Sequence, residues 1–135
     1  MIQSMFLNLP VKDLKKTKEF FAKLGFEYNS KFTDDNAACM VINDNIQVML
    51  LTEAFFKGFT KKPISDAKKT TEALMALSTG SRAEVDTLIK KAVAAGGRIY
   101  AEPSDLGFMY QHGFEDLDGH QWEVFYMNEA EFPQK

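Results

Sequence analysis

A chain of 135 residues is the length of a single domain and buries enough surface to fold without staples. Its net charge of -3 excludes the concentrated positive field that a nucleic acid or an acidic membrane requires of its partner. Its one cysteine, Cys39, excludes an intrachain disulfide and a cysteine-rich zinc site.

No apolar run approaches the ~18 residues of a membrane span, and the N-terminus carries no basic, signal-like leader. The expectation is a soluble cytoplasmic protein with no nucleic-acid or membrane partner. Cys39 lies in the apolar run 37–42 and reads as a packed thiol.

Residues 4–9 form a short apolar run ended by Pro10 and predict a strand. Asp13 has the position of a helix N-cap. Leu14, Thr17, Phe20, Phe21 and Leu24 then recur at helical spacing, and Gly25 closes the helix. Strands are predicted at 26–32, 37–42 and 46–51, separated by the turns Asp34-Asp35-Asn36 and Asn43-Asp44-Asn45. Residues 53–70, with Gly58, Pro63 and several lysines, read as a linker that carries a short helix at 53–59. The aromatics of that linker, Phe55, Phe56 and Phe59, read either as a cap on the core or as a lid over a pocket.

The pattern then restarts. Residues 72–78 predict a strand, and Ser81-Arg82-Ala83-Glu84 matches a capping box. Val85, Leu88, Ile89, Ala92 and Val93 give the next helix its apolar face, and Gly96-Gly97 ends it. Strands are predicted at 98–102 and 107–115, with Pro103-Ser104-Asp105 as a turn between them. Asp116-Leu117-Asp118-Gly119 reads as a hairpin turn with Gly119 at positive φ, leading into the final strand.

Both halves therefore read βαβββ, as modules 1–52 and 71–128 joined by linker 53–70 in one domain. The expected fold class is α+β, two βαβββ modules with curved mixed sheets enclosing a concave site. The last strands of the two modules align, and Gln47 is then the counterpart of Glu123. If the modules pack about a pseudo-twofold axis, the two polar side chains face a shared concavity. A carboxylate among Trp122, Val124, Phe125 and Tyr126 is costly unless it is held or used, which singles out Glu123.

The repeat, Val11-Lys12-Asp13-Leu14, Ala95-Gly96-Gly97 and the run from Phe114 to Glu123 together resemble the vicinal-oxygen-chelate superfamily. That superfamily includes glyoxalase I (lactoylglutathione lyase), bleomycin-resistance proteins, extradiol dioxygenases and fosfomycin-resistance enzymes. The resemblance covers essentially the whole chain and is nearest to the small bacterial proteins described as predicted lactoylglutathione lyases. It implies the glyoxalase-like fold and a homodimer, for which Phe55-Phe56 offer apolar surface. In metal-dependent members the first and last strand of each module supply ligands of the pattern His or Gln, Glu, His, Glu. The matching positions here are Phe6, Gln47, Leu74 and Glu123. Phe6 and Leu74 carry no donor atom, so no metal site and no cofactor are expected, with a divalent metal left open for an enzyme alternative.

Strand alternation places Phe6, Asn8, Gln47, Met49, Leu51, Leu74, Ala76, Glu123, Phe125 and Met127 on one face. Trp122, Val124, Leu7, Val48 and Leu77 then pack under the helices. The expected ligand-binding residues are Phe6, Asn8, Gln47, Met49, Leu74, Tyr110 and Phe125, with Glu123 as catalytic candidate and principal polar anchor. His112 is also placed to reach a cavity, whereas His120 belongs to the hairpin. Two functions follow. One is a glyoxalase/bleomycin-resistance-like protein that binds a small organic ligand in an apolar, metal-free cavity. The other is a lyase- or isomerase-type enzyme of the lactoylglutathione lyase kind, with Glu123 as base, with or without a divalent metal.

Overall fold

The computed structural model describes residues 1–133. The chain divides into two compact units, Met1–Asp66 and a second that begins at Ala67. Each unit contains one βαβββ module with a four-stranded mixed sheet, so the α+β class and the glyoxalase-like repeat are both present.

In the first unit, β1 (Met5–Val11) pairs in parallel with β4 (Ile46–Thr52), which pairs antiparallel with β3 (Ala37–Asn43), and β3 with β2 (Glu27–Tyr28). The helix α1 (Leu14–Lys23) starts at Asp13, whose Oδ1 accepts from the Lys16 N–H at 3.1 Å. It ends at Gly25, where φ is +102°. Leu14, Thr17, Phe20 and Phe21 are buried, and so are Leu9, Val11, Met40, Val48 and Leu50. The alternate positions Phe6 and Asn8 on β1 are exposed, and Gln47 and Met49 beside them on β4 are half-buried.

Two strand boundaries differ from expectation. Pro10 lies inside β1 instead of ending it, opposite Leu51. β1 is an edge strand, where a missing N–H on the free side breaks no ladder. The strand predicted at 26–32 stops after Tyr28, and Ser30–Phe32 form a 3-10 turn. Local side-chain bonds compete successfully with the ladder there. Asn29 Oδ1 accepts from the Lys31 N–H at 3.0 Å, and Thr33 Oγ1 donates to the Asn29 carbonyl at 2.8 Å. The Tyr28 hydroxyl donates to the Lys18 carbonyl at 3.0 Å, fastening β2 to α1, and burial pushes this phenol far above its ordinary value. Cys39 is fully buried as expected, with its thiol pushed up by burial. After β4 comes α2 (Glu53–Phe56), shorter than predicted, and Phe55 meets Phe59 edge-to-face at 5.2 Å with both rings exposed.

The second unit repeats the order. β5 (Met75–Ser78) runs parallel to β8 (Gln121–Met127), followed by β7 (Met109–Glu115) and β6 (Ser104–Asp105), both antiparallel. The helix α3 (Arg82–Ala94) starts at Ser81, whose Oγ accepts from the Glu84 N–H at 3.1 Å. Glu84 reaches back one residue beyond the predicted box, accepting from the Gly80 N–H at 2.6 Å. Ser81→Ala is expected to lower stability by about 1 kcal/mol, read from urea denaturation midpoints.

α3 covers one face of this sheet. Arg82 grips Asp105 with two bonds, 2.7 and 3.0 Å, and adds a third to the Gly107 carbonyl at 2.9 Å. The Tyr110 hydroxyl donates to Asp86 at 2.6 Å. Phe114, Trp122 and Val124 are fully buried on this same face, and Val85, Ile89 and Ala92 of α3 are buried with them. Val93, predicted for that apolar face, is instead 45% exposed.

The predicted strand at 98–102 is not formed. Arg98 makes a single bridge to Glu115, and the next pairing is Ser104 with Gln111. Six steps along this segment therefore span four along β7, so two residues bulge out of the ladder. Pro103 has no N–H to offer a regular ladder at that point. The predicted turn at 103–105 thus contains the two-residue strand β6, and the strand predicted from 107 begins at Met109.

Candidate functional site

The hairpin fixes the register of β7 on β8. Its turn closes through Asp116, whose N–H donates to the His120 carbonyl at 3.0 Å, and Gly119 takes φ +92°. Glu115 then faces Gln121, Gly113 faces Glu123, and Gln111 faces Phe125. On the other side of β8, Ala76 faces Glu123 and Ser78 faces Phe125. All of these residues share the face opposite α3, because their neighbours Tyr110, Phe114, Trp122 and Val124 occupy the helix side.

This face is polar at one end and apolar at the other. Arg98 pairs with Glu115 at 2.9 Å, Gln121 donates to Glu115 at 3.4 Å, and Thr71 donates to Gln121 at 3.0 Å. Glu123 lies in the next row, half-buried, with Oε2 accepting from Gln111 Nε2 at 2.7 Å. Phe125, Met127 and Met109 follow, all half-buried.

The centre of the face holds a residue that sequence reasoning missed. Arg98 is bridged to Glu115, so Tyr100, two residues on, falls beside Gly113 on the same face. Its hydroxyl lies over Gly113: a Cβ added there would stand 2.5 Å from Tyr100 Oη and 2.8 Å from the Trp122 carbonyl oxygen. Burial first, then the charges of Glu123 and Glu115, hold the Tyr100 phenol above its ordinary value. A glycine inside a strand was the available signal, since it marks a close approach. Alkaline difference spectroscopy is expected to show Tyr100 titrating above about 10 and to move it downward in Glu123→Gln. The protonated phenol is the favoured form. Its contribution to stability is therefore complete below pH ~10 and is lost as pH rises through the raised folded value.

The chain matches the model of the Glyoxalase/Bleomycin resistance protein/Dioxygenase superfamily over residues 4–124. The chain belongs to this superfamily. Among solved structures it is similar to a hypothetical protein from S. aureus, 31% identical over 93% of this chain and 95% of that one, TM-score 0.79. A glyoxalase-related enzyme from Fulvimarina pelagi is 18% identical over 93% and 88%, TM-score 0.80. The fosfomycin resistance protein FosX from Listeria monocytogenes is 20% identical over 100% and 97%, TM-score 0.68. The latter two likenesses concern the fold alone. No curated protein matches the chain.

The donor chemistry does not fit the divalent metal of the superfamily's metal-dependent members. Of the four ligand positions, Phe6 and Leu74 have hydrocarbon side chains. Among the described residues no three His, Cys, Asp or Glu side chains group to hold an ion. The other two positions are engaged within their own units. Gln47 Nε2 donates to the carbonyls of Asn43 at 3.1 Å and Asp44 at 3.4 Å, and Glu123 is bonded to Gln111.

The predicted residues separate into groups. Phe6, Asn8, Gln47 and Met49 lie together on the β1–β4 face of the first unit. Phe125 shares the Glu123 face. Leu74 precedes β5 and is 52% exposed. Tyr110 lies on the opposite side of β7 from Glu123, stacked under Arg82 at 5.3 Å and bonded to Asp86. His112 likewise faces the helix side, opposite Val124, where its Nδ1 is buried with no hydrogen-bond partner.

Proposed function

We propose that this superfamily member binds a small organic ligand on the Glu123 face of its second sheet, without a metal. One observation carries this reading. Gln111 holds the Glu123 carboxylate at 2.7 Å in the middle of a strand, among half-buried apolar side chains, and among the described residues no three His, Cys, Asp or Glu side chains group to hold an ion. A carboxylate kept in such a place is useful as a polar anchor, and Phe125, Met127 and Met109 supply apolar contact beside it. Bleomycin resistance proteins give the superfamily part of its name, and one structural likeness is to a fosfomycin resistance protein. The first of these favours capture of a small molecule as the activity class.

A thermal-shift screen of small organic compounds tests this. A binding compound raises the Tm of the wild type by mass action, keeps doing so in the presence of EDTA, and loses its effect in Glu123→Ala. Stoichiometric metal in the purified protein, with binding abolished by chelation, contradicts it.

A further inference from the structure

We infer that the Tyr100 hydroxyl and the Glu123 carboxylate act together as a donor–acceptor pair, and that they select a ligand without negative charge that has a carbonyl next to an N–H or O–H group, such as an amide or an α-hydroxyketone. This rests on the reading of the Glu123 face as the ligand site.

The pair follows from register and bulge. Gly113 is directly opposite Glu123 on β7, and Tyr100 arches over Gly113 because two residues leave the ladder between Arg98 and Ser104. Gly113 has no side chain, so the phenol oxygen settles into the row of the carboxylate. Burial first, and then the charge of Glu123, hold the phenol above its ordinary value, in keeping with that placement. Among the described residues the Tyr100 hydroxyl makes no hydrogen bond, so its proton is available to an incoming acceptor. Glu123 uses Oε2 for Gln111, which leaves Oε1 as the second acceptor of the carboxylate. A phenol donates and a carboxylate accepts, so side by side they read a carbonyl flanked by a donor.

The charges on the face set the rest of the preference. Glu115 and Glu123 both lie here, and the cation Arg98 is already paired with Glu115. An anionic ligand is therefore disfavoured by like charge. Phe125, in the next row, offers a ring to an aromatic substituent.

The test compares benzamide with methyl benzoate, and 2-hydroxyacetophenone with acetophenone, by NMR titration of the full chain. The second member of each pair keeps the carbonyl and lacks the donor. Benzyl alcohol serves as a neutral donor without a carbonyl. The expected result is binding of benzamide and 2-hydroxyacetophenone about tenfold tighter than their partners and than benzyl alcohol, one neutral hydrogen bond being worth about that factor. Glu123→Ala is expected to remove the advantage over methyl benzoate and acetophenone, and Tyr100→Phe, which keeps the ring and its packing, the advantage over benzyl alcohol, with melting curves showing both variants folded. Loss of the first advantage in Glu123→Ala with full retention of the second in Tyr100→Phe overturns the pair and leaves the site standing. Retention of both advantages overturns the pair and the site together. A wild type that binds none of the donor-bearing carbonyl probes, or binds benzyl alcohol best, overturns the ligand class.

Discussion

Asp116→Ala is expected to lower the stability of the chain by about 3 kcal/mol in urea denaturation, the largest effect of any single hairpin substitution. Asp116 is 5% exposed and satisfies three N–H groups at once. Oδ1 accepts from the backbone of Asp118 and His120, each at 3.0 Å, and Oδ2 accepts from the Trp122 indole at 3.0 Å. Trp122 is fully buried, so its indole N–H has no route to water once the carboxylate is gone. The same residue also sets the register that brings Gly113 opposite Glu123, so ligand binding is expected to fall along with stability. Asp116→Asn keeps one oxygen for the two backbone donors but turns an NH2 group toward the indole, and is expected to lose about half as much. Burial is the main influence on the Asp116 carboxyl and raises it, against the opposing pull of His120 and of the Trp122 and Asp118 N–H groups. A raised value means that the linked contribution to stability is full below pH ~4 and is lost as pH rises through it. Comparison of Asp116→Asn with wild type between pH 4 and neutrality should therefore show the gap narrowing as pH rises.

Gly113→Ala is the second large effect. The added methyl meets Tyr100 Oη at 2.5 Å, the Trp122 carbonyl oxygen at 2.8 Å and Tyr100 Cζ at 3.0 Å. The tyrosine ring can move, whereas the carbonyl belongs to the β7–β8 ladder and cannot without breaking a pairing. Expulsion of the ring and local strain in the ladder together are expected to cost about 2 kcal/mol. The double variant Gly113→Ala with Tyr100→Ala should recover part of that loss, since one of the two collisions is gone. Ligand binding should remain absent in it. If Gly113→Ala has the same effect on stability with or without the Tyr100 ring, the ring does not lie over Gly113.

The features legible in the sequence are those with local causes. Asp13 and Ser81 cap their helices through contacts three residues away, and Gly25, Gly96 and Gly119 all take positive φ where the chain must turn. The repeated order of elements survives even where single boundaries move. Glu123 was legible because a carboxylate stands out in an apolar strand. Its surroundings were not, because they depend on register. The hairpin spacing alone places Gly113 opposite Glu123 and Tyr110 on the other face, with Gln111 and Gly113 beside the carboxylate. Tyr100 was hidden for a different reason. Its position is created by a two-residue bulge around Pro103, and nothing local to Ile99-Tyr100-Ala101 announces where that bulge returns to the ladder. Leu74 enters through the resemblance, as the third ligand position on a strand expected at 72–78, and β5 begins one residue after it.

The most direct measurement is a crystal structure of the protein in complex with a ligand recovered from the thermal-shift screen. The expected result is ligand density on the face opposite α3, within hydrogen-bond distance of Glu123 Oε1 and Tyr100 Oη, with its apolar part against Phe125 and the Gln111–Glu123 bond intact. Density in contact with neither Glu123 nor Tyr100, or a metal ion bound through Glu123, contradicts the account.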